Sequence, residues 1–496
     1  MTARNGLWNG KRIDMMNGFL KYIFGGKKLT ALKAVLLLAG LGVVLTSAGF
    51  DRVCNDETES ILGSADTLKF PFINDALCRI SDPRNSLASF RKALTDLKNG
   101  KDTVINIIHL GDSHIQAGYL SGRTMRLLQS SFGNAGRGWI APFRLSRQNE
   151  PPDYFISSNV NRWTSGRCVQ LKPRCPWGPG GIGIQTETQP VNFKLIIAPL
   201  NGAGYSFNKA LLFRDANAAA MEPSAASKDF VSDLLIGKEP YENIVADTFI
   251  TSYHVDTLQI KSIGQRKSGA RNLYYGFNLM NGNPGLLYHA IGVNGAKYAD
   301  FTSRSYVRQL SLLKPSLFII SLGTNESFGK NFSESEFEAQ INSFIKLVRE
   351  EMPQAILLIT TPIETFKRQY KNKKRYYVRN ENMVRVANVI REYSDKEGIA
   401  SFDMFAVGGG ENSCEQWLAA GMLGRDHIHF SREAYGEQGA LLYKALMRNY
   451  LRPDTWRFQP VLPPEWFGKP NGGFTLNKTV GETSQYIERK EVSYDE

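Results

Sequence analysis

Two distant stretches of the sequence hold the side chains that nucleophilic catalysis requires. Ser113 follows an apolar run, Val104–Gly111, and a serine hydroxyl attacks an ester only when a nearby base takes its proton. Far along the chain, Asp426 precedes His429 by three residues. A carboxylate at this spacing can bond one ring nitrogen of the histidine, while the other nitrogen accepts the serine proton. The sequence therefore predicts acyl-transfer chemistry at Ser113, provided that these stretches meet in space.

Alternating apolar and amphipathic segments must position these residues. Val104–Gly111 is rich in β-branched residues and predicts a buried parallel strand that delivers Ser113 to a turn. Tyr119–Phe132 and Tyr298–Leu313 have helical spacing, and Leu317–Asn325 contains a second buried strand that ends in Gly-Thr-Asn. Further strands and helices alternate up to a last helix that begins after Ser431. This rhythm predicts an α/β fold with a doubly wound parallel sheet.

The motifs at the ends of these segments together resemble those of the SGNH, or GDSL-type, hydrolases. Gly111-Asp112-Ser113 matches the nucleophile motif, Gly323-Thr324-Asn325 the asparagine motif and Asp426-His427-Ile428-His429 the final Asp-x-x-His motif. The remaining motif is most similar to 291–296, with Gly295 as the matching glycine. The resemblance implies a flavodoxin-like three-layer fold.

The same resemblance implies the role of each matching residue. Ser113, Asp426 and His429 would form the catalytic triad, with no metal and no cofactor. The oxyanion hole would consist of the backbone N–H groups of Ser113 and Gly295 and the side-chain amide of Asn325. Losing one such donor in related chemistry costs ~2.7–4 kcal/mol of barrier.

Other polar residues near these motifs have alternative roles. His427 is as close to Asp426 as His429 is, but it breaks the family spacing. His114 directly follows the nucleophile, where it either binds substrate or bonds the backbone. We expect Asp112 to hold the turn, and His109 to be a hydrogen-bonded histidine of the core.

The composition and hydrophobic pattern of the sequence change between residues 143 and 282. Glycine, proline and short alternating runs dominate there, which is typical of antiparallel strands in a β-sandwich. The chain between Ser113 and Asp426 is also far longer than a domain of ~100–150 residues requires. We therefore predict a β-sandwich inserted into the catalytic domain; a resemblance to exported SGNH esterases implies that this insert is carbohydrate-binding-like. Its aromatic residues can stack on sugars or fill its core: Trp163, Trp177, Tyr253, Tyr274 and Tyr275.

These observations divide the chain into five segments. Residues 1–50 form a cytoplasmic segment with a signal or anchor helix. Residues 51–142 and 283–451 form the two parts of the catalytic domain, and 143–282 form the insert. Residues 452–496, rich in proline and glycine, are predicted to be an irregular tail.

The N-terminal segment predicts export. Residues 34–50 are almost entirely apolar, with lysines before them and acidic residues after them, which favours a cytoplasmic start and a catalytic body across the membrane. Whether the segment is cleaved or stays as a membrane anchor is left open, so the predicted location is periplasmic or extracellular. Disulfides are permitted there, and Cys168 can pair with Cys175 and Cys54 with Cys78.

Basic residues exceed acidic ones, giving a net charge of +13. This is compatible both with an anionic polymer as partner and with an ordinary solvated surface. Residues 367–379 are especially basic and follow a predicted strand on the catalytic side of the sheet. They form either a solvated loop or a contact to an anionic substrate.

Within the SGNH group, the motifs and the β-rich insert resemble bacterial peptidoglycan O-acetylesterases. This resemblance implies an acetylated cell-wall polysaccharide as partner and no nucleic acid. Two alternatives remain: an O-acetyltransferase that uses the same triad, and a wall-binding protein without catalysis. The oligomeric state is left open.

Overall fold

The computed structural model describes residues 70–198, 205–233, 243–264 and 269–451. The predicted segments 1–50 and 452–496, and with them the apolar stretch 34–50, lie outside these residues. Among the helices that the structure describes, none is both long and apolar enough to cross a membrane.

Helices and strands alternate at both ends of the described chain, and strands dominate its middle. The α-helices are α1 (Ala88–Lys98), α2 (Ser113–Gln116), α3 (Tyr119–Phe132), α4 (Tyr298–Phe301), α5 (Arg304–Ser311), α6 (Thr324–Ser327), α7 (Glu334–Glu351), α8 (Asn382–Glu397), α9 (Met404–Val407), α10 (Ser413–Ala419) and α11 (Arg432–Leu451). The strands are β1 (Ile80–Ser81), β2 (Val104–Gly111), β3 (Gly138–Ile140), β4 (Tyr154–Ser157), β5 (Thr164–Arg167), β6 (Ile182–Thr186), β7 (Asn192–Ile197), β8 (Phe207–Asp215), β9 (Met221–Pro223), β10 (Val231–Asp233), β11 (Ile244–Val255), β12 (Thr257–Ser262), β13 (Asn272–Met280), β14 (Gly285–Gly292), β15 (Leu317–Ser321), β16 (Ile356–Thr360), β17 (Phe366–Lys371), β18 (Lys374–Arg379) and β19 (Ala400–Phe402).

The central sheet has the strand order β14-β2-β15-β16-β19-β1. All neighbours are parallel except β1, which pairs antiparallel with β19. Numbered by their order in the chain, the five parallel strands lie in the order 2-1-3-4-5, which is the flavodoxin-like arrangement. The strand order reverses between β2 and β15, and ligands bind at such a switch point, beyond the carboxyl ends of the strands.

Both faces of this sheet are covered by helices, because successive side chains of each strand point to opposite faces. In β2, Ile105 and Ile107 join a core cluster that includes residues of α1, α3 and α11. Ile108 and Leu110 join a second cluster with residues of α5, α7 and α8. The predicted three-layer, doubly wound α/β fold is thus confirmed.

The β-rich segment between β2 and β14 forms a two-sheet sandwich. One sheet has the order β10-β11-β8-β13-β6-β5, with β3 also paired to β13, and the other has the order β4-β7-β12-β9. Phe193 of β7 meets Tyr274 of β13 across the two sheets, with ring centroids 5.0 Å apart. The chain leaves the domain of the central sheet and returns to it at one place, where Leu286 N donates to Gly133 O at 2.9 Å. The inserted β-sandwich is confirmed as part of the fold, whereas its bounds at residues 143 and 282 stay a prediction.

Three local expectations differ from the structure. The helix expected over 298–313 is broken into α4 and α5, because Ser303 between them is extended (φ −134°, ψ 127°). Strand β14 was not predicted. The basic run, for which a solvated loop was one alternative, forms an antiparallel hairpin of β17 and β18.

Cys168 and Cys175, which the sequence allowed to pair, are both free thiols. The Cys175 thiol points to the carbonyl oxygens of Thr164 and Gly183, at 3.8 and 3.6 Å. Cys78 is free as well, and its thiol donates to Leu441 O at 3.2 Å. Cys54 lies outside the described residues.

Candidate active site

Ser113 lies at the carboxyl end of β2, at the first residue of the short helical turn α2. Asp112 precedes it, and the Asp112 carboxylate accepts a hydrogen bond from His114 N at 3.0 Å. Only a glycine fits at the end of β2, because a Cβ on Gly111 would lie 2.8 Å from Ser321 O and 2.3 Å from the Ile115 side chain. This close approach lets the chain turn sharply, so that the serine projects from the edge of the sheet.

The loop between α10 and α11 brings an imidazole to this serine. The Nε2 atom of His429 lies 2.8 Å from Ser113 Oγ, and its Nδ1 lies 2.6 Å from Asp426 Oδ2. Asp426 Oδ1 accepts hydrogen bonds from Ile428 N and His429 N, both at 3.0 Å. The loop thus folds around the carboxylate and fixes the imidazole. The three side chains predicted to act together form one hydrogen-bonded series.

The surroundings set the protonation of this series. Partial burial favours the neutral form of Asp426, but the hydrogen bonds from the His429 ring and the two backbone N–H groups outweigh it and lower the pKa of Asp426. The same contact with Asp426 is the main cause that raises the pKa of His429 above its usual value. An imidazole with a raised pKa is a stronger proton acceptor, as a general base for serine must be.

The residues predicted for the oxyanion hole lie around Ser113. Gly295 and Asn325 line the same cleft as Ser113 and His429, and Gly295 has a φ of +84° that favours glycine. Asn325 Nδ2 donates to Ala296 O at 3.1 Å and to Asp112 Oδ2 at 3.3 Å. Burial raises the pKa of Asp112 to about 6. Asp112 therefore bonds both the turn at the serine and the amide of Asn325.

A cluster of amide side chains, not foreseen from the sequence, supports the Gly295 loop. The buried Gln116 accepts from Asn294 N at 2.7 Å through Oε1 and donates to Asn149 Oδ1 at 2.7 Å through Nε2. Asn149 Oδ1 also accepts from Asn294 Nδ2 at 2.7 Å. Gln116 lies three residues after Ser113, one helical turn away, and this spacing could have indicated from the sequence that it lies near the site. Nothing in the sequence around Asn149 indicated its role.

The other histidines near the motifs have different surroundings. His114 lines a small cavity of about 40 Å³ beside Asp112; its Nδ1 lies 2.9 Å from the Tyr435 hydroxyl. Burial lowers the pKa of His114 to about 3, so the ring is neutral, and its contact with substrate stays a prediction. His427 stacks on Tyr377 with ring centroids 4.2 Å apart. His109 is a core histidine, bonded to Tyr288 and Ser321 at 2.6 and 2.7 Å.

Ser113 opens into a cleft of about 1550 Å³. This exceeds the ~300–1,000 Å³ typical of small-molecule sites. The side chains of His429 and Asp426 remain 43% and 49% exposed at its wall. Five cations line the cleft: Lys330, Lys367, Arg368, Arg375 and Arg425. The cleft thus admits a large ligand, and water reaches the imidazole.

The aromatic residues singled out in the insert are mostly packing residues. Tyr274 and Tyr275 are buried, and Trp163 stacks on Phe193. Tyr253 is exposed and bonds Asp229 through its hydroxyl. In the described part of the chain, no group of three or more His, Cys, Asp or Glu side chains is arranged to hold a metal ion.

The strand order and the residues at the switch point are those expected of an SGNH-type hydrolase. In agreement, residues 262–436 match the model of the GDSL-like Lipase/Acylhydrolase family. The matched range includes Gly295, Asn325, Asp426 and His429, while Ser113 precedes it on the far side of the insert. This match agrees with the resemblance to GDSL-type serine ester hydrolases that the motifs carry.

A solved structure shares the fold. A peptidoglycan O-acetylesterase is similar over 75% of this chain and 99% of its own, with 20% identity and a TM-score of 0.60. A Bacillus subtilis protein is 12% identical over 59% of this chain and 90% of its own, with a TM-score of 0.29. An Enterococcus faecalis lipase/acylhydrolase is 17% identical over 35% of this chain and 80% of its own, with a TM-score of 0.25. Both TM-scores are too low to support an argument. No curated protein matches the chain in sequence.

Proposed function

We propose that the chain is an exported carbohydrate esterase that removes O-acetyl groups from a cell-wall polysaccharide, with peptidoglycan as the substrate. The observation that carries this proposal is the hydrogen-bonded series Ser113–His429–Asp426 at the wall of a cleft large enough for a polymer. The likeness in fold to a peptidoglycan O-acetylesterase, which extends over nearly all of that protein, supports the choice of polymer.

The first half of the proposed reaction forms an acetyl-enzyme. Ser113 Oγ attacks the acetyl carbonyl carbon while its proton moves to Nε2 of His429. Asp426 stabilises the resulting imidazolium through Nδ1. The negative charge on the carbonyl oxygen is met by the N–H groups of Ser113 and Gly295 and by the Asn325 amide. The bond to the sugar oxygen then breaks, and His429 returns the proton to that oxygen.

The second half releases acetate. A water molecule gives a proton to His429 and attacks the acetyl carbon, and the second tetrahedral species collapses by breaking the bond to Ser113 Oγ. His429 protonates the departing serine, and the product acetic acid ionises in solution. The exposure of the His429 side chain to solvent supports water, rather than a second sugar, as the acceptor.

Acetate release from two polymers tests the proposal. Purified protein and the Ser113→Ala variant are incubated with O-acetylated peptidoglycan and, in parallel, with acetylated xylan, and free acetate is measured over time. We expect release from peptidoglycan that is lost in Ser113→Ala and is much slower from xylan. Release that needs a sugar acceptor would indicate a transferase. Equal binding of wall sugars by both proteins without any turnover would indicate a binding protein and refute the esterase.

A further inference from the structure

The hairpin of β17 and β18 borders the cleft. Its strands join through Asn372 and Lys373, whose φ values of 52° and 63° are those of a tight two-residue hairpin turn. The register pairs Arg368 with Tyr377 and Tyr370 with Arg375. Residues opposite each other, and those two apart on one strand, share a face. These four residues therefore form one face, which we call the Arg–Tyr face.

The Arg–Tyr face is organised before any ligand binds. The Arg368 guanidinium lies 5.6 Å from the centre of the Tyr370 ring, and that of Arg375 lies 5.9 Å from the Tyr377 ring. Such contacts attract a guanidinium to the ring face. All four residues line the cleft that contains Ser113. The guanidinium groups of Arg368 and Arg375 are thus held at the wall of the cleft.

The base of the hairpin is attached to the loop that carries the catalytic histidine. Phe366 N donates to His427 O at 3.2 Å, and the Tyr377 hydroxyl donates to Arg425 O at 3.3 Å. The Tyr377 ring also stacks on His427. The position of the Arg–Tyr face relative to His429 is therefore set by direct contacts rather than by a free loop.

The charge of the cleft is uncompensated. Among the described residues, no carboxylate lies within ion-pair distance of the five cleft cations, Lys330, Lys367, Arg368, Arg375 and Arg425. Asp426 is the one carboxylate among the residues that line the cleft, and it is bonded to His429. A neutral glycan would leave these cations unpaired, whereas an anionic ligand would pair with them.

We propose that the Arg–Tyr face binds carboxylate groups of the polymer whose acetyl ester reaches Ser113. This proposal rests on the proposed function and specifies its substrate: a glycan that carries carboxylates near its acetyl groups. The guanidinium groups of Arg368 and Arg375 match a carboxylate through paired N–H donors. The ring of the exposed Tyr370 offers an apolar surface beside them.

The test compares one substrate in two charge states. Soluble O-acetylated peptidoglycan fragments are prepared with free carboxylates and with the same carboxylates converted to amides, and kcat/KM for acetate release is measured on each. We expect the full-length protein to prefer the free form about tenfold, mainly through KM. The preference should shrink between low salt and ~1 M salt, where the Debye length falls to ~3 Å.

A charge-removing variant locates the effect. Arg368→Gln/Arg375→Gln should lose the preference for the free form, and Arg368→Lys/Arg375→Lys should retain part of it. The matched control Lys194→Gln/Lys346→Gln removes two exposed charges that do not line the cleft and should keep the preference. An unchanged preference in the Gln variant, or an equal loss in the control, would overturn the proposal.

A binding measurement covers the case in which the Gln variant does not fold. Fragments of both charge states are titrated into Ser113→Ala, whose hairpin is unaltered. Tighter binding of the free-carboxylate form supports the proposal, and equal binding overturns it. If the unmodified protein released acetate from both forms equally, only the carboxylate subsite would fail. Release from neither form would refute the esterase function itself.

Discussion

We predict that the distance between Ser113 and His429, the proposed nucleophile and base, depends on how closely α3 and α11 pack, and Gly439→Ala tests this. Gly439 of α11 faces α3, where Thr124 Oγ1 donates to Gly439 O at 2.9 Å. A Cβ on Gly439 would lie 2.4 Å from Leu120 O and 2.9 Å from the Arg123 Cβ. The first of these contacts is with backbone, so a side-chain rotation cannot relieve it.

The required shift is large on the scale of the active site. Ordinary contact begins near 3.4 Å, so α11 must move away from α3 by about 1 Å. His429 lies just before α11, and a displacement of this size would lengthen its 2.8 Å contact with Ser113 Oγ beyond hydrogen-bond range. Misplacement of a reacting group by ~1 Å can cost about 100-fold in rate. Overpacking also costs ~1–3 kcal/mol of stability.

The same helix provides a matched control. Gly436 has nothing within 4 Å of the position of a Cβ, so Gly436→Ala should only improve helix propensity, by up to ~1 kcal/mol. The assays are kcat and KM for p-nitrophenyl acetate, and urea unfolding for the free energy of unfolding. We expect kcat to fall by about 10- to 100-fold in Gly439→Ala and to stay within twofold of wild type in Gly436→Ala.

Two results would refute this reasoning. Wild-type kcat in folded Gly439→Ala would mean that the packing of α3 and α11 does not set the distance between Ser113 and His429. An equal loss of kcat in Gly436→Ala would mean that any alanine in α11 disturbs the site. In that case the close approach at Gly439 would explain nothing.

Three further changes have distinct expected outcomes. Asp426→Asn removes the contact that raises the pKa of His429. Because the neutral imidazole is the proposed active form, kcat/KM rises with pH through that pKa, and this rising limb should move to lower pH in the variant. Activity should also fall ~10- to 150-fold, equivalent to ~1.5–3 kcal/mol. An unmoved limb would contradict the assignment. Asn325→Ala should lower kcat by ~100- to 1,000-fold with little change in KM, measured in steady state; a change in KM alone would indicate substrate binding. Arg379→Leu leaves Glu364, which is 0% exposed, without its partner at 2.9 Å. Urea unfolding should show a loss of ~3 kcal/mol, at the lower end of the range for buried pairs because Arg379 is partly exposed, and an unchanged midpoint would refute it.

The segments with long, regular patterns were predictable from the sequence. The apolar run of β2 and the amphipathic spacing of α3 each agree with the structure to within a residue. Ser333 caps α7 through its hydroxyl, which accepts from Glu336 N at 3.3 Å, in agreement with the Ser-x-x-Glu pattern at 333–336. In these segments the local preference and the tertiary burial favour the same conformation, so neither overrides the other.

The unpredicted segments depend on partners that are distant in sequence. Strand β14 has no alternation to reveal it, because its residues are buried on both faces. The hairpin of β17 and β18 is built from lysine and arginine, which have low strand propensity. It is held by contacts with the loop around His427 and by the pair of Arg379 with Glu364. These contacts join residues that are distant in sequence, so residue type and spacing along one segment cannot reveal them.

The insert separates the nucleophile from its oxyanion loop in sequence without separating them in space. Gly111 at the end of β2 is in register with Gly292 of β14 and with Ser321 of β15. Ser113 therefore emerges between the two strands whose following loops carry Gly295 and Asn325. Because the chain enters and leaves the insert beside Gly133, the sandwich can be long without stretching this register. The loops that carry the proposed oxyanion donors thus follow strands of the central sheet, whereas the proposed base, His429, precedes α11. Substitutions in the sheet should therefore affect oxyanion stabilisation, and those in α11 proton transfer.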